Sequence, residues 1–303
     1  MALASQSRAR TAVHMQRSMT MQRYLATTMR LAAFVVVALA TACAPSAQDP
    51  GTSKLYEVQK RGKLIVGVTS EIPPFGFIGP DGQMQGFDID IAKIIAKGLF
   101  EGSDNIEFKK TAFAARWTAA NSGEIDFGIM VTTIWPDRLA RINFTRGYIR
   151  SAMSVLSRDD VKVSGIQDFN KPDYTMAILN TPSEYDLMKA NLPAMKTLVL
   201  ASEADMLTAV RTGRAQALLV DAPVAAWRAG SLPNLKNWGI IGPLTQDAIF
   251  MRQNDFQWWY YLDAMVGEMR CGSLYEDYKA AYSKWFKVDP PPPSSCLAFK
   301  GED

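Results

Sequence analysis

Histidine is nearly missing from this chain. The only one among 303 residues is His14, in a polar stretch near the N-terminus. Everything after it lacks the one side chain that titrates near neutral pH unaided. That excludes Ser-His-Asp and Cys-His catalysis, and it excludes His-ligated zinc. The chain has no internal repeat, P-loop, Gly-rich dinucleotide fingerprint or metal-ligand cluster, so neither a cofactor nor a metal is expected. Acidic residues are absent from the first 43 positions, which carry Arg8, Arg10, Arg17, Arg23 and Arg30. Taking those five from the 33 basic residues leaves 28 against 30 acidic, so the formal +3 becomes a net of −2. No clustered basic face remains, and a nucleic-acid partner is not expected. The apolar run Leu31–Ala42 is too short to span a bilayer.

What is present describes an exported globular protein. The 48% hydrophobic and 21% charged residues suit a globular chain, long enough for two domains. Arg23 and Arg30 ahead of Leu31–Ala42 read as a signal peptide. Leu39-Ala40-Thr41-Ala42-Cys43 resembles a bacterial lipobox, with Leu39 one place further from the cysteine than usual. Residues 1–43 are therefore expected to be a lipoprotein-type signal peptide, with Cys43 lipidated. The alternative is ordinary cleavage at Ala40-Thr41-Ala42. Residues 44–54 read as a polar tether rich in Pro, Gly and Ser. Export implies an oxidising compartment. Cys271 and Cys296 are then expected to form a disulfide, worth about 3–4 kcal/mol in the chain-entropy model, with two free thiols as the alternative.

The pattern that follows is α/β. Lys63–Val68 is a short apolar run, read as a buried strand. Pro73-Pro74 cannot join a central ladder and places Phe75 and Phe77 in an irregular loop. Asp81-Gly82 signals a turn, with a hairpin returning through Met84–Phe87. Asp88 is expected to cap a helix with Ile91, Ile94, Ile95 and Leu99 on one stripe. Strands then alternate with helical crossovers, the pattern of an α/β sheet.

Several separated stretches carry a resemblance. RGKLIVGVTSEIPPFGF, GQMQGFDIDIAKIIAK and NSGEIDFGIMVTTIWPDRLARINFT, then LLVDA at Leu218–Ala222 and YSKWF at Tyr282–Phe286, fall in the order found in one family. The chain from about Leu55 to Phe286 resembles the extracytoplasmic solute-binding proteins of polar amino-acid ABC transporters, bacterial solute-binding protein family 3. FMRQNDFQWW and KWFKVDPPPP are most similar to glutamate/aspartate-type members. The resemblance implies a type II periplasmic binding fold with two α/β lobes and a two-strand hinge near Met153–Ser157 and Asp247–Met251. Lobe 1 would be 55–155 plus 247–288, lobe 2 would be 156–246, and 289–303 a Pro-rich tail.

The candidate site is the stretch Phe113–Arg138. Ile125–Met130 reads as a buried parallel strand. In α/β sheets ligands sit beyond the carboxyl ends of strands, which places Val131, Thr132 and Thr133 at the site. Pro136 suits a first helical turn, and Arg138 just after it can hold a carboxylate bidentately. The resemblance implies that Arg138 clamps the ligand α-carboxylate with Thr133 and the backbone at Val131, and that Phe113 is a wall. Arg116 falls where acidic-ligand members reach the side-chain carboxylate, but the position of their second arginine is Thr69 here. Ile72 stands where many members stack an aromatic, and Trp135 is placed to fill part of that volume.

In the second half, Tyr174–Leu179 reads as a strand opening into Asn180-Thr181-Pro182-Ser183-Glu184. The family's Gly-Thr-Ser/Thr element has Asn180 and Pro182 in two of its places, leaving Thr181 as the matching residue. Ala215–Val220 is a strand ending in Asp221, which the resemblance pairs with the α-ammonium, against a plain helix N-cap. The aromatic group Trp258, Trp259 and Tyr260, with Leu262, reads as core.

The implied activity is capture of a polar or acidic amino acid by a monomer and delivery to an inner-membrane ABC permease. The protein would be periplasmic or at the cell surface, anchored to a membrane through Cys43, with no catalytic residue. The rivals are a cyclohexadienyl-dehydratase-like enzyme using Glu71 or Glu184 as proton donor, and a sensory binding protein.

Overall fold

The computed structural model describes residues 53–293, apart from 101 and 103. The expected signal peptide, Cys43 and Cys296 lie outside the described residues.

The first half begins with helix α1 (Lys54–Arg61), which ends at Gly62, whose φ of 67° is left-handed. Strand β1 (Leu64–Val68) follows. Next come three short strands, β2 (Glu71–Ile72), β3 (Gly76–Ile78) and β4 (Met84–Gln85), which form a small antiparallel sheet of their own. Phe77 therefore sits in a strand instead of an irregular loop, because Pro73 and Pro74 occupy the turn between β2 and β3 and leave Phe77 free to pair with Glu71 and Gln85. Helix α2 (Phe87–Leu99) starts after Gly86, where a Cβ would meet the Phe75 carbonyl oxygen at 1.9 Å. Asp88 does not cap this helix. It lies inside it, fully buried, accepting hydrogen bonds from the Tyr148 hydroxyl at 2.6 Å and the Val131 amide at 3.2 Å.

Then come β5 (Ile106–Lys110), a 3-10 turn at Phe113–Ala115, α3 (Arg116–Asn121), β6 (Phe127–Gly128), α4 (Pro136–Leu139) and β7 (Asn143–Phe144). The second half runs through β8 (Ile149–Arg158), β9 (Thr175–Leu179), α5 (Pro182–Asn191), β10 (Lys196–Leu200), α6 (Glu203–Arg211), β11 (Ala217–Asp221), α7 (Ala222–Ser231) and β12 (Leu235–Asp247). The chain closes with β13 (Phe250–Met251), α8 (Phe256–Cys271) and α9 (Tyr275–Phe286).

Two five-stranded sheets share one plan. The first runs β5-β1-β6-β13-β7 and the second β10-β9-β11-β8-β12. In each, three parallel strands are followed by one antiparallel strand that has arrived from the other sheet. The chain thus passes between sheets twice, between Phe144 and Ile149 and between Asp247 and Phe250. The expected first crossing at Met153–Ser157 lies too late. Those residues are the buried middle of β8, paired to β11 on one side and β12 on the other.

The residues 125–130 are all buried, yet only Phe127 and Gly128 form regular ladder pairs. Trp258 is fully buried against Phe127 and donates from Nε1 to the Asp126 carbonyl at 2.8 Å. Tyr260 departs from the expected core at 61% exposed, because α8 turns it away from the buried stripe of Trp258, Leu262 and Val266. Ser53 and Lys54 are not tether. The Ser53 hydroxyl and the Lys54 amide each donate at 2.7 Å to Asp255, the cap of α8, which buries them at the start of α1.

Candidate binding site

At the end of β6 the backbone bends sharply. Val131 has φ of 48°, a left-handed conformation that strains a β-branched residue and marks a site where the fold dictates the backbone. Its amide was expected to face the ligand. It donates instead to Asp88, 43 residues earlier in the chain, while Val131 still lines the cavity. Thr133 donates its hydroxyl to Asp247 at 3.0 Å and offers its carbonyl to Arg138 Nη1 at 2.9 Å. That bond fixes the Arg138 guanidinium on the short helix α4. Its Nη2 reaches the Ser183 hydroxyl of α5 at 3.4 Å, so it spans from the first half to the second.

Arg116 is 5% exposed, with its guanidinium 4.9 Å from the Phe113 ring centroid and 4.2 Å from that of Trp117. Nη1 donates to the Phe113 carbonyl at 2.8 Å, while the buried Nε has no hydrogen-bond partner. Burial, then the Arg138 charge, lowers its pKa to about 9, so it stays cationic at neutral pH. Burial likewise lowers Arg138, opposed by Asp137, Glu184, Asp221 and Asp247.

From the second sheet, Asp221 ends β11 and stands at the cap position of α7, yet its side chain makes no capping bond. It accepts from the Ser151 hydroxyl of β8 at 2.9 Å. Burial raises its pKa to about 6, with the Ser151 bond and Arg138 opposing. Thr181 heads α5 without a side-chain cap bond.

These parts meet in one cavity of about 610 Å³, open solvent included. It is lined by all seven residues expected to hold the ligand: Phe113, Arg116, Val131, Thr133, Arg138, Thr181 and Asp221. Ile72 and Trp135 also line it, whereas Thr69 is buried behind Gly76. Ser183, Glu184, Glu203, Met153 and Met206, with Leu179, Leu219 and Val220, complete the wall. Glu184 accepts from the Leu179 amide at 2.8 Å and is raised to about 8 by burial, with Asp221 adding to the shift. Glu203 pairs with Arg228 at 3.0 Å and is raised to about 7, again by burial first. Glu71 is exposed and does not border the cavity. Both acids in the wall stand in first helical turns, where sequence gives them the look of solvated helix-start residues.

The arrangement holds two guanidinium groups, the Asp221 carboxylate, which makes no capping bond, and hydroxyls between them. Such a cavity matches a small zwitterion bearing a polar side chain. The model of the bacterial extracellular solute-binding proteins, family 3, matches residues 64–288. The chain belongs to that family. A glutamine-binding protein from Geobacillus stearothermophilus is 33% identical over 187 residues, covering 61% of this chain and 71% of the relative. The ABC transporter glutamine-binding protein GlnH of Bacillus subtilis is 26% identical over 267 residues, 85% of this chain and 95% of that one. Among solved structures, the ancestral amino acid-binding protein AncCDT-1, described as a precursor of cyclohexadienyl dehydratase, superposes with a TM-score of 0.69 at 29% identity. It covers 77% of this chain and 100% of its own. The solute receptor for L-cysteine of Neisseria gonorrhoeae gives 0.71 at 26% identity, over 78% and 97%. The two sheets are thus the lobes of a type II periplasmic binding fold, and this family member is an extracytoplasmic solute-binding protein.

Proposed function

We propose that the cavity captures a polar or acidic α-amino acid for an ABC importer. The α-carboxylate lies on Arg138, which the Thr133 carbonyl holds in place, and the α-ammonium lies on Asp221. The observation that carries this is the placement of Arg138 and Asp221 on different lobes yet in one cavity, with Asp221 free of any capping bond. Each charge of the zwitterion then meets its opposite, and the desolvation cost of closing the cleft is offset by charge-assisted hydrogen bonds. Phe113 forms a wall, and Arg116 and Thr181 face the side chain. Closure presents a joint surface of both lobes to an inner-membrane permease. The test is calorimetry with amino acids alongside analogues lacking the α-ammonium or the α-carboxylate. Both truncations are expected to abolish binding, and an analogue that binds as well as the intact amino acid overturns the assignment.

The same reading places the domain outside the cytoplasmic membrane as a monomer, tethered by a lipid on Cys43 and stapled by Cys271–Cys296. An unmodified Cys43 thiol in the mass of membrane-extracted protein removes the anchor. Two reactive thiols in denatured, unreduced protein remove the disulfide.

A second reading is favoured by one observation. Glu184 is a buried acid in the cavity wall that holds its proton at neutral pH, as a proton donor in a dehydratase-like enzyme must. No base stands beside it with a free hand, since Glu203 is held by Arg228. Turnover of prephenate or arogenate by purified protein reverses the ranking.

A further inference from the structure

Resting on the amino-acid reading above, we infer that Glu184 selects the ligand's side chain by its protonation state. A side-chain carboxamide binds with Glu184 ionised, and a side-chain carboxylate binds only when Glu184 carries a proton.

The charges lining the cavity lead to this. Arg138 and Asp221 are used by the α-carboxylate and α-ammonium. Glu203 is neutralised by Arg228. What remains is Arg116, whose buried Nε has no partner, and Glu184, 7% exposed at the head of α5. Both line the same cavity and they feel each other's charge, yet they form no ion pair. A group placed between a cation and a carboxylate needs an acceptor on one side and a donor on the other. A carboxamide has both: its carbonyl accepts from Arg116 and its amide nitrogen donates to Glu184. A carboxylate has acceptors alone, so it satisfies Arg116 and opposes an ionised Glu184. With a proton on Glu184, the acid becomes the donor that the ligand lacks, and the cavity gains the one positive charge that an acidic amino acid requires.

The groups facing Glu184 are consistent with a proton held there. Its carboxyl takes the Leu179 amide and neighbours Thr181 on its own element. Asp221 of β11 raises its pKa, while Arg138 of α4 lowers it. Burial outweighs Arg138 and the hydrogen bonds from Leu179 and Thr181, and brings it to about 8. The site therefore changes its charge below the range in which Arg116, lowered to about 9, loses its own. Asp221 titrates lower, near 6, and its loss affects every α-amino acid alike.

The test is calorimetry of glutamine and glutamate from pH 7 to pH 9, in buffers of differing ionisation enthalpy. For glutamate, affinity relative to glutamine is expected to fall about a hundredfold over this range, following the ratio of protonated to ionised Glu184, which changes tenfold per pH unit. At pH 9, glutamate takes up close to one proton more than glutamine, protons bound by Arg116 being common to both ligands. In Glu184→Gln the ratio becomes flat with pH and the extra proton disappears. Glutamine binding by that variant shows that its fold is intact; if it does not fold, the proton count of the wild-type protein decides alone. A flat ratio with no proton difference in the wild type overturns the inference while leaving amino-acid capture standing. No binding of any amino acid overturns the underlying reading instead.

Discussion

Replacing Asp221 with asparagine is expected to move affinity and stability in opposite directions. The substitution keeps the shape and an oxygen that accepts from Ser151. It removes a charge that the folded protein holds at a cost. Burial lifts the Asp221 pKa from 3.8 to about 6, which corresponds to about 3 kcal/mol of disfavour for the ionised form at neutral pH. The sign follows from linkage. An acid whose pKa is raised on folding favours the folded state below its unfolded pKa, and that contribution is lost as pH rises through the folded value. The variant is therefore expected to gain about 1–3 kcal/mol at pH 7, the attraction to Arg138 being already contained in the shifted pKa. A domain of this size then melts a few degrees higher. The gain vanishes below pH 4. Ligand affinity goes the other way, since neutralising one partner of a buried charge pair costs about 2–5 kcal/mol, or at least thirtyfold. Calorimetry and thermal melts of the same two preparations read both. Unchanged affinity refutes the pairing with the α-ammonium. A fall in both quantities refutes it too, because that is the signature of a structural carboxylate.

Three further outcomes follow. In the wild-type protein, affinity for any α-amino acid is expected to fall roughly tenfold per pH unit below about 6 as Asp221 takes a proton; affinity independent of pH between 4 and 6 contradicts it. Arg116→Met is expected to weaken ligands with carboxylate or carboxamide side chains by tenfold or more and to leave alanine nearly unchanged; an equal loss for alanine shows that Arg116 does not read the side chain. Arg228 ties Glu203 to the Glu71 carbonyl at 3.0 and 2.9 Å, so Arg228→Met at pH 8.5 leaves a buried charge unpaired. That is expected to cost about 3–5 kcal/mol, and adding Glu203→Gln should restore most of it in a denaturant titration.

The residues whose role depends on local chain direction were legible in the sequence. Arg138 follows a strand end and Pro136, and Asp221 ends an apolar run before Pro223, so both could be placed at carboxyl edges of strands. What escaped detection depends on contacts between distant segments. The Val131 amide is taken by Asp88, and nothing around either residue signals that the two meet. Glu184 is a candidate in the sequence, but Glu203 carries the pattern of an exposed helix-start acid, and its burial shows only in the pairing with Arg228 beside the cavity. The expected first crossing lies too late because β8 runs unbroken from Ile149 to Arg158, and Met153–Ser157 is only its buried middle. The start of α1 was hidden in an apparent tether because Asp255, its partner, lies 202 residues from Ser53.

The account stands most directly on Arg138. The decisive measurement is isothermal calorimetry of the mature protein with its best-binding amino acid, wild type against Arg138→Ala. Binding well below millimolar in the wild type and its loss by a hundredfold or more in the variant, about 3 kcal/mol, is the predicted result. Equal affinity in the two proteins, or no binding tighter than millimolar in the wild type, contradicts it.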